Sequence, residues 1–387
     1  MTANPLQQLA ALGQSVWLDY IHRDLFASGQ LRRLIEDDAL SGMTSNPAIF
    51  EKAIGEGHAY DGQIDQLARA GRGVNEIYEA LSQDDVRSAA DVLRAVYDRT
   101  HGGDGYVSLE VNPHLARDTA GTIAEGRRLW SALARPNAYI KVPGTVEGLG
   151  AIRQLISEGI NVNVTLLFGL PRYDEVMDAY LSGLEQRLAA GGSLATVSSV
   201  ASFFVSRIDA LVDPMLEQHV TGPHGAAAVA ARGEVAIACA RLAYEMHRHR
   251  FAQERFRHLA ERGARVQRVL WASTSTKNPN YSDVKYVEAL LGANTINTMP
   301  LETLEAYRDH GQPQLRLGHG LDDARRLFER LPELGVDIDA VTRRLEQEGI
   351  EKFNQPFDKL MQRVGERVAA APRAASARGA TPGSQRP

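Results

Sequence analysis

Eight short apolar runs rich in Val, Ile and Leu recur along the chain, separated by longer segments of helical period. They are Ser15 to Tyr20, Gly42 to Asn46, Tyr106 to Val111, Ala138 to Val142, Ile160 to Leu166, Thr196 to Ser202, Arg268 to Ser273 and Thr295 to Met299. Near-continuous apolar strands alternating with helices are the pattern of a parallel sheet covered on both faces, because each crossover returns the chain in the same direction under a helix. Eight such units predict a single closed (β/α)8 TIM barrel, with active-site residues at the C-terminal ends of the strands.

The remaining segments fit around that barrel. Asn46-Pro47 and Asn112-Pro113 place an Asn N-cap before a Pro at the first helical position, so strands feed directly into helices. The stretch 211–263 exceeds one crossover helix and reads as a helical insertion, split in two at Thr221-Gly-Pro-His-Gly. Phe353, Phe357, Leu360 and Val364 fall on one face of a C-terminal helix that should pack on the body. The barrel domain is thus expected to span 1–370. Residues 371–387 hold three Arg, three Pro, two Gly and no large apolar side chain, and read as a disordered tail.

Composition narrows the partners. With 43 Lys+Arg against 48 Asp+Glu and no long basic run, the chain lacks the cationic face that nucleic acid or an anionic membrane requires. Leu188 to Ser206 carries no charge over nineteen residues, but five serines and Gly191-Gly192 make it loop plus buried strand rather than a membrane span. The lone Cys239 excludes an internal disulfide and, with no export signal at the start, points to the cytoplasm. His247, His249 and His258 lie in the Arg-rich insertion and read as solvated, not as metal ligands.

The polar residues at predicted strand ends are Asp19, Asn46, Glu110, Lys141, Asn163, Thr165, Ser202 and Ser273, followed shortly by Arg207 and Lys277. Lys141 is the sharpest of them, since a lysine inside an apolar strand is costly unless it faces a polar interior site. It could be a Schiff-base nucleophile, or a phosphate-binding or core-paired lysine. At the ordinary lysine pKa only about one amine in 2,500 is neutral at pH 7, so a nucleophile would need its pKa depressed by burial or neighbouring cations.

Four ordered motifs resemble the transaldolase family across roughly residues 10–365. They are Thr44-Ser45-Asn46-Pro47, Ile140-Lys141-Val142-Pro143, Asn163-Val164-Thr165-Leu166-Leu167-Phe168 and Ser202-Phe203-Phe204-Val205-Ser206-Arg207-Ile208. The resemblance implies Lys141 as the amine that forms a Schiff base with a ketose phosphate, Asp19 as the base for cleavage, and Glu110 with Thr165 as proton shuttle through a water. It implies Asn46, Asn163 and Ser202 as hydroxyl ligands, although Asn46 also suits a helix cap and Ser202 could be mere packing. Arg207 would hold phosphate with help from Ser273 and Lys277. The segment Ser273-Thr-Ser-Thr-Lys277-Asn278 is two residues longer than the commoner form, so the contact could fall to Ser273, Ser275 or Lys277. Asn112-Pro113 departs as well, which suggests a divergent branch.

The activity so implied belongs to the pentose phosphate pathway. It is transfer of a dihydroxyacetone unit from sedoheptulose 7-phosphate or fructose 6-phosphate to glyceraldehyde 3-phosphate or erythrose 4-phosphate, with neither metal nor cofactor. A fructose 6-phosphate aldolase on the same scaffold is the nearest alternative, but such relatives carry a tyrosine where this chain has Phe204. A sugar-phosphate-binding barrel without catalysis would be expected to lack Lys141, Asp19 or Glu110. A monomer or homodimer is expected.

Overall fold

A computed structural model of the chain describes residues 4–55 and 57–370. The expected 371–387 tail lies outside the described residues. Eight strands, β1 (Gln14–Asp19), β2 (Leu40–Thr44), β3 (Tyr106–Glu110), β4 (Ala138–Pro143), β5 (Val162–Leu167), β6 (Ser199–Phe204), β7 (Arg268–Ala272) and β8 (Thr295–Met299), close into a barrel. Every neighbouring pair runs parallel, including β8 back to β1. Residues of β3 to β6 are buried along their whole length, which is why these strands read as unbroken apolar runs rather than as alternations.

Strand ends differ from the sequence reading where a side chain or helix captures the ladder. β2 stops at Thr44 because the Asn46 carbonyl already accepts from the Phe50 N–H at 3.2 Å, inside the helix Pro47–Gly55. β6 starts at Ser199, three residues late, and the Ser198 N–H is taken by Asn161 Oδ1 at 2.8 Å. Asn46 Oδ1 accepts from the Ile49 N–H at 3.0 Å and Asn112 Oδ1 from the His114 N–H at 3.0 Å, so both Asn-Pro steps are caps.

The insertion is more divided than expected. Between β6 and β7 lie the helices Ser206–Glu217, Gly225–Ala231, Val235–Ala252 and Glu254–Ala260. Besides the break at residues 218–224, the left-handed Gly233 (φ 72°) ends one helix and extended Gln253 (ψ 157°) another. His247 is buried and not solvated: its Nε2 donates to the Gln267 carbonyl at 2.9 Å, and burial pushes the ring down to about 4, so it is neutral. His249 and His258 are exposed. Cys239 is a buried core residue.

The helix Ile338–Ala370 packs across the helices Pro47–Gly55 and Val74–Arg99. Its face Phe353, Phe357, Leu360 and Val364 is buried as the spacing predicts, at about 1.5 to 3 kcal/mol for each large side chain relative to exposure. Lys359 and Arg363 clamp it to Glu51 at 2.8 Å each. At Gly349 the helix touches the end of β5, where an added Cβ would stand 2.9 Å from Leu166.

At the opposite, N-terminal end of the barrel, the Trp17 indole donates to Asp104 Oδ1 at 2.6 Å, and the Arg268 guanidinium reaches Ser15 Oγ at 2.6 Å. The indole lies over Gly42, whose added Cβ would fall 2.2 Å from the ring. Gly42→Ala should therefore overpack this floor and cost about 1 to 3 kcal/mol, seen as a lower midpoint in thermal melting. An unchanged melt would show that Trp17 has room to move.

Candidate active site

Register brings the charged groups together. Glu110 on β3 pairs with Lys141 on β4, and Lys141 pairs with Asn163 on β5, so the three side chains form one layer of the barrel interior. Lys141 is 3% exposed. Its Nζ lies 3.1 Å from Glu110 Oε2, donates to the Ser45 carbonyl at 3.1 Å, and stands 5.4 Å from the centre of the Phe353 ring. Burial pushes the Glu110 carboxyl up to about 7, with Lys141 opposing that rise and Asp19 adding to it.

Asp19 ends β1 on the other side of the mouth. Thr44 Oγ1 donates to Asp19 Oδ1 at 2.6 Å and meets Thr298 Oγ1 at 2.7 Å. Thr44 has one hydroxyl proton, given to Asp19, so Thr298 must be the donor in the second bond. This relay fixes the carboxylate. Burial raises the Asp19 pKa above the usual carboxylate value against the lowering pull of Lys141, Thr44 and Lys277, which poises it to take and return a proton.

A cavity of about 160 Å³ opens between these groups. Asp19, Asn46, Lys141, Ser202, Phe204, Arg207, Ser273 and Lys277 of the expected site line it, together with Thr44, Ser275, Thr298, Lys352 and Phe353. Glu110, Asn163 and Thr165 do not. Asn163 is fully buried, donating to Ser108 Oγ at 2.9 Å and accepting from Ser202 Oγ at 2.7 Å, so its amide braces the layer under the mouth. Thr165 is also buried, with its hydroxyl lacking a hydrogen-bond partner among the described residues.

One end of the cavity is cationic. Arg207 sits in the first turn of the helix Ser206–Glu217 and carries no salt bridge among the described residues; its buried Nε has no hydrogen-bond partner. Lys277 donates to Ser275 Oγ at 2.6 Å. Burial lowers the pKa of both, and the Arg207 charge lowers Lys277 further. Two cations at one end of the cavity, the half-buried Arg207 and the exposed Lys277, beside the N–H groups of a helix start, make a place for an anion. Ser273 holds a left-handed backbone (φ 55°), rare for a residue with a Cβ, and ties this corner together: its carbonyl accepts from the Ser206 N–H at 3.0 Å.

Sequence reasoning missed Thr44, Thr298, Lys352 and Phe353. Thr44 lay inside a quoted motif and Thr298 inside a strand, both on inward-facing positions. Phe353 read as core, since periodicity cannot distinguish a ring buried on neighbours from one buried against a lysine.

The chain matches the transaldolase/fructose-6-phosphate aldolase family over residues 16–364. It is 50% identical over 369 residues to a transaldolase of Thermobifida fusca, covering 95% of this chain and 99% of the relative. It is 47% identical to a transaldolase of Frankia alni, covering 95% and 98%, and 46% identical to transaldolase 2 of a Nostoc species, covering 93% and 97%. With a barrel whose lysine, carboxylates and cationic pocket meet at the C-terminal ends of the strands, and with relatives this similar along nearly its whole length, the chain belongs to the transaldolase/fructose-6-phosphate aldolase family.

Proposed function

We infer that the chain is a transaldolase, moving a three-carbon ketol unit between sugar phosphates through a Schiff base on Lys141. The observation that carries this reading is a buried lysine 3.1 Å from a carboxyl that burial pushes up to about 7, with a second carboxylate and two cations that form no salt bridge among the described residues around the same mouth. A proton passes from Lys141 to Glu110 within their pair, and the neutral amine adds to the C2 carbonyl of a ketose phosphate, one N–H proton moving to the oxygen to give the carbinolamine. Glu110 gives its proton to the carbinolamine hydroxyl, which leaves as water, and the iminium forms. Asp19 takes the C4 hydroxyl proton, the C3–C4 electrons pass to the iminium, and an aldose phosphate departs from an enamine. The enamine adds to an acceptor aldose phosphate, Asp19 returns its proton, and hydrolysis frees the new ketose. Thr165 is assigned to the water used in these proton steps. Asn46 and Ser202 at the cavity wall are the groups we assign to substrate hydroxyls, with Asn163 orienting Ser202.

Sedoheptulose 7-phosphate and fructose 6-phosphate are the donors we propose, and glyceraldehyde 3-phosphate and erythrose 4-phosphate the acceptors, acting in the cytoplasm. Fructose 6-phosphate should be consumed rapidly only when erythrose 4-phosphate is supplied. Equal consumption without acceptor, with free dihydroxyacetone released, would make the chain an aldolase instead. Phe204 favours transfer, since its ring has no hydroxyl to hold a hydrolytic water.

The phosphate is assigned to Arg207, with Lys277 adding a less directional contact. Charge-assisted hydrogen bonds are worth about 1.5 to 3 kcal/mol, so Arg207→Ala should lower kcat/KM for phosphorylated donors by about ten- to a hundredfold or more. Lys277→Ala should lower it less, and unphosphorylated fructose should hardly notice either change. Equal losses for phosphorylated and unphosphorylated donors would make Arg207 structural.

A further inference from the structure

Glu110 is absent from the wall of the mouth cavity and instead lines a second cavity of about 160 Å³, between β3 and the helices Val74–Arg99 and Thr119–Leu133. Polar and apolar side chains share the wall of this rear cavity. Tyr78 and Glu125 line it with Glu110, Phe357 of the C-terminal helix forms part of the wall, and Asn75 and Arg128 at its rim are exposed. It has room for several waters at about 30 Å³ each. Glu110 is 7% exposed, and apart from its ion pair with Lys141 neither carboxyl oxygen accepts a hydrogen bond among the described residues. A buried carboxyl in that state needs partners, and the rear cavity is where they can be supplied.

Glu125 stands where the cavity meets solvent, its side chain 18% exposed. The Asn112 N–H at 3.3 Å and Arg128 at 3.5 Å both contact Oε1, leaving Oε2 unengaged among the described residues. Burial raises its pKa, countered by the Asn112 N–H and Arg128 and reinforced by Glu79, so it carries a proton to higher pH than an exposed glutamate would. Burial and the neighbouring Glu110, Glu125 and Glu79 carboxylates keep the Tyr78 phenol protonated.

We propose that the rear cavity is the path by which Glu110 exchanges its proton with solvent while substrate fills the mouth, with Glu125 as the relaying acid. The proposal rests on the proton-shuttle role given to Glu110 above. When the carbinolamine C–O bond breaks, the nitrogen lone pair forms the C=N bond, the hydroxyl leaves with the Glu110 proton as water, and Glu110 remains as carboxylate. Glu125 then passes a proton through cavity water to Glu110 and regains one from solvent. Imine hydrolysis runs the same transfers in reverse. Glu125 touches no substrate, so it is a positioning and relay residue rather than a catalytic one.

Glu125→Gln keeps the size of the side chain and the acceptor for Asn112. It should slow imine formation, read by borohydride trapping with fructose 6-phosphate, by about three- to tenfold with KM unchanged. The loss should shrink as imidazole buffer is raised, and Glu125→Asp should recover part of it. Should Glu125→Gln not fold, Asn75→Trp at the exposed rim, which plugs the entrance, should slow the same step. A wild-type rate, or a loss indifferent to buffer, overturns the proposal. Failure of the underlying reading looks different: Glu110→Gln would then form imine at the undiminished rate.

Discussion

Lys141→Met is expected to lower turnover by ~10⁴-fold or more while leaving the barrel folded, because on the proposed mechanism the amine that forms the iminium is lost. Methionine has nearly the length of the lysine stem, and Glu110, whose carboxyl is already pushed up to about 7, can stay neutral when its partner is removed. The direct check is chemical. Wild-type protein incubated with fructose 6-phosphate and reduced with borohydride should yield one modified peptide, bearing a three-carbon adduct on Lys141. Lys277 is the natural competitor, since it lines the same cavity and burial lowers its pKa. An adduct there, or full activity in Lys141→Met, would remove Lys141 from the mechanism.

Asp19→Asn should separate two steps that the wild type performs together. Loss of a positioned base costs about 10²- to 10⁴-fold in the proton transfer it serves, so C3–C4 cleavage should stall while imine formation continues. Borohydride should then trap the intact six-carbon sugar phosphate on Lys141 instead of the three-carbon fragment, a mass difference that no folding defect can mimic. Asparagine still accepts the Thr44 hydroxyl proton, so the Thr44–Thr298 relay survives the change. A three-carbon adduct at the wild-type rate would assign the base elsewhere.

The barrel was legible because most strand residues are buried and helices flank each strand, so apolar runs mark every unit and Asn-Pro caps mark two of them. Their ends were less so. Whether β6 starts at Thr196 or Ser199 depends on Asn161, nearly forty residues away, claiming the Ser198 N–H, and no local pattern records that. The divided insertion escaped because a single left-handed glycine and one extended glutamine end helices as effectively as the Gly222-Pro223 pair. At the site, Lys141 stood out because a charge in an apolar strand demands a reason. Thr44 and Thr298 did not, because a threonine in a strand is ordinary until register brings two hydroxyls and a carboxylate into line. Asn163 was expected as a hydroxyl ligand; its amide meets Ser108 and Ser202 and it does not line the mouth cavity, a matter of depth that motif matching does not carry.

The C-terminal helix has a consequence for how the protein comes into being. All eight strands lie before residue 300, yet the ring that faces Lys141 and one wall of the mouth come from Phe353 and Lys352, and a wall of the rear cavity from Phe357. During synthesis the sheet can close well before these residues exist. A growing chain can therefore hold a closed sheet before the ring that screens the amine is in place, and the mouth is complete only once the helix Ile338–Ala370 docks.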